Sequence, residues 1–187
     1  MFFHTFPVGD TVPKGVLLPG QTHSTRLRKV ETGTENLSDC DGLWSENPNF
    51  LLGVQTADCA PVAFLGTKRF GIVHAGWRGL VRGILEEMQS IFSEGPVSIR
   101  IGPLLPVFEI QKDFCFEEIS SKFGTRFFSE HDGKIRFHFL DALFSLLPEA
   151  EFCGISTFEN HHYASWRRDR AFPKGENISV VSPLSLS

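Results

Sequence analysis

His23, Cys59 and His74 are the residues of this chain whose types suit metal chemistry. Cys59 lies in Ala57-Asp-Cys59-Ala-Pro61, a break between two apolar runs. His74 closes the strand-like run Arg69-Phe-Gly-Ile-Val-His74, fifteen residues later. Two imidazoles and one thiolate form a borderline-soft donor set that suits Zn²⁺, and three protein ligands leave one coordination position open. Such a centre makes a bound water more acidic, or polarises a substrate, at neutral pH. The spacing alone fits other arrangements. His23 and Cys59 stand 36 residues apart, which matches no compact metal motif. A free cysteine is often a small buried hydrophobe. With Cys40 added, the set becomes a closed structural Cys₂His₂ centre. Cys59 and His74 also have the makings of a nucleophile and its base.

Polar residues near these ligands extend the chemistry. Asp58, next to Cys59, is either a group that orients a ligand or takes a proton, or a turn aspartate. Arg78 falls in His74-Ala-Gly-Trp-Arg-Gly79, at the start of a helical pattern. Backbone N–H groups at a helix start favour an anion, and arginine adds a forked donor, so phosphate is the natural ligand. The alternative is a surface arginine between two turn glycines. Arg167 and Arg168 in Ser165-Trp-Arg-Arg-Asp169 form a second cationic cluster. It suits an anion or a solvated face with an internal salt bridge.

The elements that must position these groups are legible from periodicity. Residues 50–56, 60–65 and 69–74 are short apolar runs and read as buried strands. Residues 78–92 carry an apolar stripe at Leu80, Ile84, Leu85, Met88, Ile91 and Phe92, which predicts one helix ended by Gly95-Pro96. Further strands are expected at 16–18, 24–30, 97–101, 134–139, 154–157 and 178–181, and helices at 113–122 and 140–147. Residues 1–20 read as a strand or two joined by turns, and residues 31–40 as turn-rich. Strands and helices mix without a strict βαβ repeat, so an α/β (mixed α+β) fold with a mixed sheet and flanking helices is expected.

Composition bounds the function. The chain of 187 residues is 41% hydrophobic and 21% charged, as expected for a soluble single domain spanning 1–187. Its net charge of −4 argues against a broad nucleic-acid-binding face. Nineteen Phe against one Tyr point to a phenylalanine-filled core. No apolar run is long enough to span a membrane, and residues 1–7 do not read as a secretory signal, so the cytoplasm is the expected compartment. Four widely spaced cysteines without C-x-x-C suit thiols or metal ligands there. The chain has no P-loop, no dinucleotide fingerprint and no G-x-S-x-G elbow.

Gln21-Thr-His23, Asp41-Gly42, Gln55-Thr-Ala-Asp-Cys59-Ala-Pro61 and His74-Ala-Gly-Trp-Arg-Gly79 resemble, in order, the signatures of the laccase-domain (YfiH-like) family. Ile101-Gly-Pro103, Phe108-Glu-Ile110 and Ser165-Trp-Arg-Arg-Asp169 resemble its later segments. That family is labelled polyphenol oxidase and is associated with purine nucleoside phosphorylase activity. The resemblance implies a sandwich of mixed β-sheets with outer helices. It implies a zinc site at His23, Cys59 and His74; beside it, Asp58 and Arg78 are the expected catalytic residues, and Gln21, Arg78, Arg167 and Arg168 the expected substrate contacts. The implied substrates are phosphate and purine nucleosides: adenosine, inosine and methylthioadenosine, with adenosine deamination as a second reaction. Three departures from the family pattern stand out. The N-terminal segment is short and lacks the usual Arg-Gly-Gly and Ser-Leu-Asn-Leu elements. Leu105-Pro-Val107 replaces frequent cysteines. Ser24 follows His23 where glycine is usual.

Three other readings share these residues. A copper-dependent phenol oxidase uses the same ligands. It ranks below zinc because type-1 copper adds an axial methionine, and Met1 and Met88 are both far from the motifs. A Cys59–His74 hydrolase is the second, and a metal-stabilised binding module without turnover is the third.

Overall fold

The computed structural model describes residues 2–170 and 175–184. Along the chain come β1 (Phe2–Phe6), β2 (Val16–Leu17), β3 (Leu27–Lys29), β4 (Gly42–Ser45), β5 (Leu51–Thr56), β6 (Ala60–Gly66) and β7 (Phe70–Ala75). Helices α1 (Trp77–Arg82) and α2 (Ile84–Ile91) follow, then β8 (Val97–Ile101), β9 (Val107–Ile110) and α3 (Phe114–Phe123). The remainder is a 3-10 turn at Thr125–Phe127, β10 (Phe128–His131), β11 (Lys134–His138), α4 (Phe139–Leu146), β12 (Glu151–Phe152), α5 (Trp166–Asp169) and β13 (Asn177–Ser182).

A mixed sheet of six strands, in the order β12-β8-β6-β7-β4-β3, forms the middle layer. The alternation of β6 explains why its whole run is apolar. Ala60, Val62 and Phe64 face one core with Leu80, Ile84, Leu85 and Met88 of the helices. Ala63 and Leu65 face a second core with Leu52, Val54 and Val181 of the sheet ordered β1-β13-β5-β2. A strand buried on both faces reads as a continuous hydrophobic run. Burying each of the larger of these side chains stabilises the fold by about 1.5–3 kcal/mol, and each alanine methyl by less. The third sheet, β10-β11-β9, is antiparallel and carries Phe108, Phe128 and Phe137, whose rings meet at 5.4–5.5 Å between centroids. The expected mixed-sheet sandwich with outer helices is therefore the observed architecture.

Several element boundaries differ from expectation. The single helix over 78–92 is two helices broken at Gly83, whose φ of 98° is left-handed. The Gly83 N–H closes α1 on the carbonyls of Gly79 and Leu80 at 3.0 and 3.3 Å, and glycine makes that turn without a Cβ clash. The strand expected over 154–157 lies earlier, at β12, and Ser156 makes only an isolated bridge to Leu104. The 24–30 strand shortens to β3, because the backbone of residues 22–24 wraps a carboxylate instead of pairing in a sheet. Strands β9 and β10 and helix α5 went unread: they are short, and packing fixes them more than periodicity does. No helix among the described residues is long and apolar enough to cross a membrane.

Candidate metal centre

The hairpin of β6 and β7 sets two of the ligands. Its register pairs Pro61 with His74 and Ala60 with Ala75, so the turn residue Cys59 sits beside the end of β7. Period two places His74 on the face shared by Phe70 and Ile72, toward the second core. The antiparallel pairing of β4 with β7 matches Gly42 with Val73 and brings Asp41 up to His74. Asp41 is fully buried, and its Oδ1 lies 2.9 Å from His74 Nδ1. The same carboxylate accepts N–H bonds from Thr22, His23 and Ser24 at 3.1, 2.9 and 2.7 Å, and the Ser24 hydroxyl at 2.7 Å. A turn wrapped on one anion delivers His23, which sits at φ 58°. Histidine is among the residue types that tolerate this region best.

The ligand atoms of His23, Cys59 and His74 all lie within 4.8 Å of one another. The His23 and His74 rings meet edge to face at 4.7 Å. With Nδ1 of His74 committed to Asp41, Nε2 is the nitrogen left for a metal, the usual carboxylate–histidine arrangement around an ion. Burial pushes the Cys59 thiol up, but hydrogen bonds and charge from His23 and His74 bring it down to about 7. Burial pushes the His74 imidazolium down, yet Asp41 and Cys59 together raise it to about 9. Burial also works against the Asp41 carboxylate, and the His74, Ser24 and Thr22 bonds still hold it well below the usual range. A thiol brought near neutrality beside two imidazoles fits a cation. Gly76 leaves the space: a Cβ there would meet His23 Cδ2 at 2.9 Å and Cys59 Sγ at 3.0 Å. Cys40 stays out of the cluster. It is buried, with Sγ 3.5 Å from the Leu37 carbonyl, so the group keeps three protein ligands.

The ligands open into a cavity of about 530 Å³. Gln21, Asp58, Trp77, Arg78 and Arg167 line it together with all three ligands, and Arg168 does not. A larger cavity of about 770 Å³ shares Trp77, Phe108 and Arg167 but contains none of the ligands, so the chemistry points to the smaller one. Gln21 is held in place by the backbone of Gln55, donating to its carbonyl and accepting its N–H, both at 2.7 Å. Asp58, at φ 87°, turns its carboxylate to the C-terminal segment and accepts the Thr157 hydroxyl at 2.7 Å and the Arg167 N–H at 2.8 Å. Arg78 is exposed, 4.7 Å over the Trp77 ring, and makes no hydrogen bond or ion pair among the described residues. Helix α1 has only six residues, so the guanidinium is the main anion donor there and the helix dipole a minor one. Arg167 lies 4.5 Å over Phe108 and donates to the Glu109 carbonyl at 2.7 Å, and burial pushes its pKa down. Arg168 is committed to Asp169 and to the carbonyls of Thr157 and Tyr163. Asp41 is the residue whose role sequence reasoning missed. Its Asp-Gly signature was visible, but its contact with His74 required the β4–β7 register.

The family model described as multi-copper polyphenol oxidoreductase laccase matches residues 9–183. The chain belongs to that family. Among its relatives, a protein named purine nucleoside phosphorylase YfiH in Shigella flexneri is 31% identical over 179 residues, covering 88% of this chain and 73% of the relative. A purine nucleoside phosphorylase of Haemophilus influenzae is 39% identical over 90 residues, covering 47% of this chain and 36% of the relative. One from Aquifex aeolicus is 33% identical, covering 65% of this chain and 59% of the relative. The matches to these last two span about a third and three fifths of their lengths. In structure, the hypothetical protein YfiH of Bacillus licheniformis superposes with a TM-score of 0.78 at 25% identity, over 90% of this chain and 74% of that one. Protein NMB0706 of Neisseria meningitidis gives 0.79 at 23% identity, over 89% and 74%. These neighbours share the mixed-sheet fold of this laccase-family chain.

Proposed function

We propose that this laccase-family protein is a zinc-dependent purine nucleoside enzyme that phosphorolyses adenosine, inosine and methylthioadenosine, with adenosine deamination as a second reaction. The observation that carries this reading is the three-ligand cluster opening into a cavity lined by Arg78, which has no hydrogen bond or ion pair among the described residues. The purine nucleoside phosphorylase names of its relatives support the substrate class. His23, Cys59 and His74 would hold the ion, and Asp41 keeps the His74 ring turned toward it. Bound zinc would supply a Lewis acid with one open coordination position.

The remaining roles belong to the chain. Arg78 offers its forked guanidinium to phosphate, and Trp77 offers a flat apolar face beside it. Gln21, locked on Gln55, presents its remaining N–H and lone pair to the nucleoside. Asp58 acts as a positioning residue, tying the Arg167 backbone and Thr157 to the Cys59 turn. Arg167 walls the cavity, while Arg168 braces the segment behind it. The reducing cytoplasm is the compartment that suits the free thiols of Cys40, Cys59, Cys115 and Cys153.

The family's description favours copper oxidation as a second reading. Multi-copper chemistry needs several ligand groups, and among the described residues one such group of three comes together. Met88 is buried in the helix-side core, and Met1 lies outside the described residues.

The test is a product assay on zinc-loaded protein with each nucleoside, with and without phosphate, against Cys59→Ala. Adenine that requires phosphate supports phosphorolysis, and inosine formed from adenosine without phosphate supports deamination. Either must vanish in the variant. No product from protein with stoichiometric zinc, on any of the three nucleosides, overturns the proposal.

A further inference from the structure

Beside the metal cavity lies a second one of about 570 Å³, whose charged lining is Arg136, Arg167, Arg168, Arg170 and Glu109. It shares Arg167 and Phe108 with the metal cavity, so one stacked pair walls both. The positive charge is only partly neutralised. Arg168 is spent on Asp169, with bonds of 2.8 and 2.9 Å. Glu109 is drawn to Lys134 at 3.2 Å and reaches Arg136 only at 3.9 Å. Arg167 gives one N–H to a backbone carbonyl and makes no ion pair within 4 Å among the described residues, feeling Asp58 and Glu109 only at longer range. The side chain of Arg170, held at φ 45° just past α5, has no hydrogen bond or ion pair among the described residues.

Like charges lining one cavity repel each other, and an oxyanion among them relieves that repulsion through forked N–H donors. Two separate anchors hold these groups on the cavity. Arg136 is on β11, paired with β9. The α5 arginines are fixed by the Asp58 carboxylate on the Arg167 N–H and by the Ser165 hydroxyl on the Arg168 N–H.

We infer that the cavity of Arg136, Arg167 and Arg170 is an oxyanion subsite for a phosphoryl group. The group is either free phosphate or one carried by the occupant of the metal cavity across the Arg167–Phe108 wall. The second source deepens the nucleoside reading: the substrate class becomes a phosphorylated nucleoside. It rests on that reading, whereas the first does not.

The experiment is calorimetric binding to zinc-loaded protein, without turnover. Inorganic phosphate, adenosine and adenosine 5′-monophosphate are each titrated into wild type, Arg170→Ala and the Arg136→Ala/Arg170→Ala double variant. Arg170→Ala removes an exposed side chain with no partner among the described residues, so its fold is safe if the double variant fails. The expected result is a loss of about tenfold or more in affinity for phosphate, for the monophosphate, or for both. Loss for phosphate alone identifies the free anion as the ligand; loss for the monophosphate alone identifies the carried group. Wild-type affinity for both ligands in the variants, or no binding of either to wild type at millimolar concentration, overturns the subsite. Failure of adenosine to bind wild type counts against the nucleoside reading and leaves the phosphate result standing.

Discussion

Asp41 and His74 are joined twice: the His74 N–H donates to the Asp41 carbonyl at 2.7 Å, and its ring Nδ1 lies 2.9 Å from Asp41 Oδ1. The ring is therefore held in position, with Nδ1 turned to the carboxylate, before any ion arrives. The same carboxylate shapes the turn that carries His23, so one buried anion places two of the three ligands.

Asp41→Asn keeps the size of the side chain and loses the charge that holds His74. It also puts an amide donor where backbone N–H groups now donate. We expect zinc affinity to fall about 10–100-fold, the usual cost of losing such a carboxylate. Competition with a chromogenic chelator reads this directly. Unchanged affinity would remove Asp41 from the site.

Gly76→Ala tests the space around the ligands. The backbone there, at φ −82° and ψ 166°, accepts any residue, so the added methyl acts only by contact. It would press on His23 Cδ2 and Cys59 Sγ at about 3 Å. Expected is a folded protein with its zinc content much reduced, measured by elemental analysis alongside a thermal melt. Full zinc occupancy in the variant would show that the ligands do not close on one ion here.

Arg168 is a clamp. Its guanidinium reaches the carbonyls of Thr157 and Tyr163 at 2.6 and 2.7 Å as well as Asp169. Arg168→Ala takes the guanidinium from those two carbonyls and from Asp169, which keeps the Ser165 N–H, a cost of about 1–3 kcal/mol. Lysine cannot span the same fork, so Arg168→Lys should recover little. Urea denaturation of the three proteins measures it; equal midpoints would refute the clamp.

Glu35 closes the turn-rich segment after β3. Its carboxylate accepts N–H bonds from Thr32 and Glu31 at 2.7 and 2.9 Å, which lower its pKa from 4.5 to about 2. A carboxylate lowered on folding stabilises the turn above its unfolded pKa, and that contribution disappears as pH falls through the folded value. In an NMR titration the Glu35 carboxyl should shift near pH 2, together with the Thr32 amide. A midpoint near 4.5 would show that the turn does not grip it.

The types of Cys59 and His74 were legible but their pairing was not, although its cause is local. Two apolar runs joined by a short turn fold back as the β6–β7 hairpin, and register then sets the cysteine beside the histidine. The two-sided burial of β6 was legible: a strand covered on both faces has no polar side to show. Gly83 was harder to read, because the apolar stripe continues across it with little change of phase.

The sequence by itself determined the apolar strands read at 50–56, 60–65 and 69–74, which are β5, β6 and β7, because their pattern lies in neighbouring residues. Tertiary structure decided the partners. Asp41 meets His74 only because β4 pairs with β7, and Asp58 meets Arg167 across 109 residues of chain. Composition shows Arg167, Arg168 and Arg170 as equivalent cations. The fold makes one a wall, one a clamp and one a charge with no partner among the described residues, because an arginine's role is set by the acceptors within reach of its guanidinium.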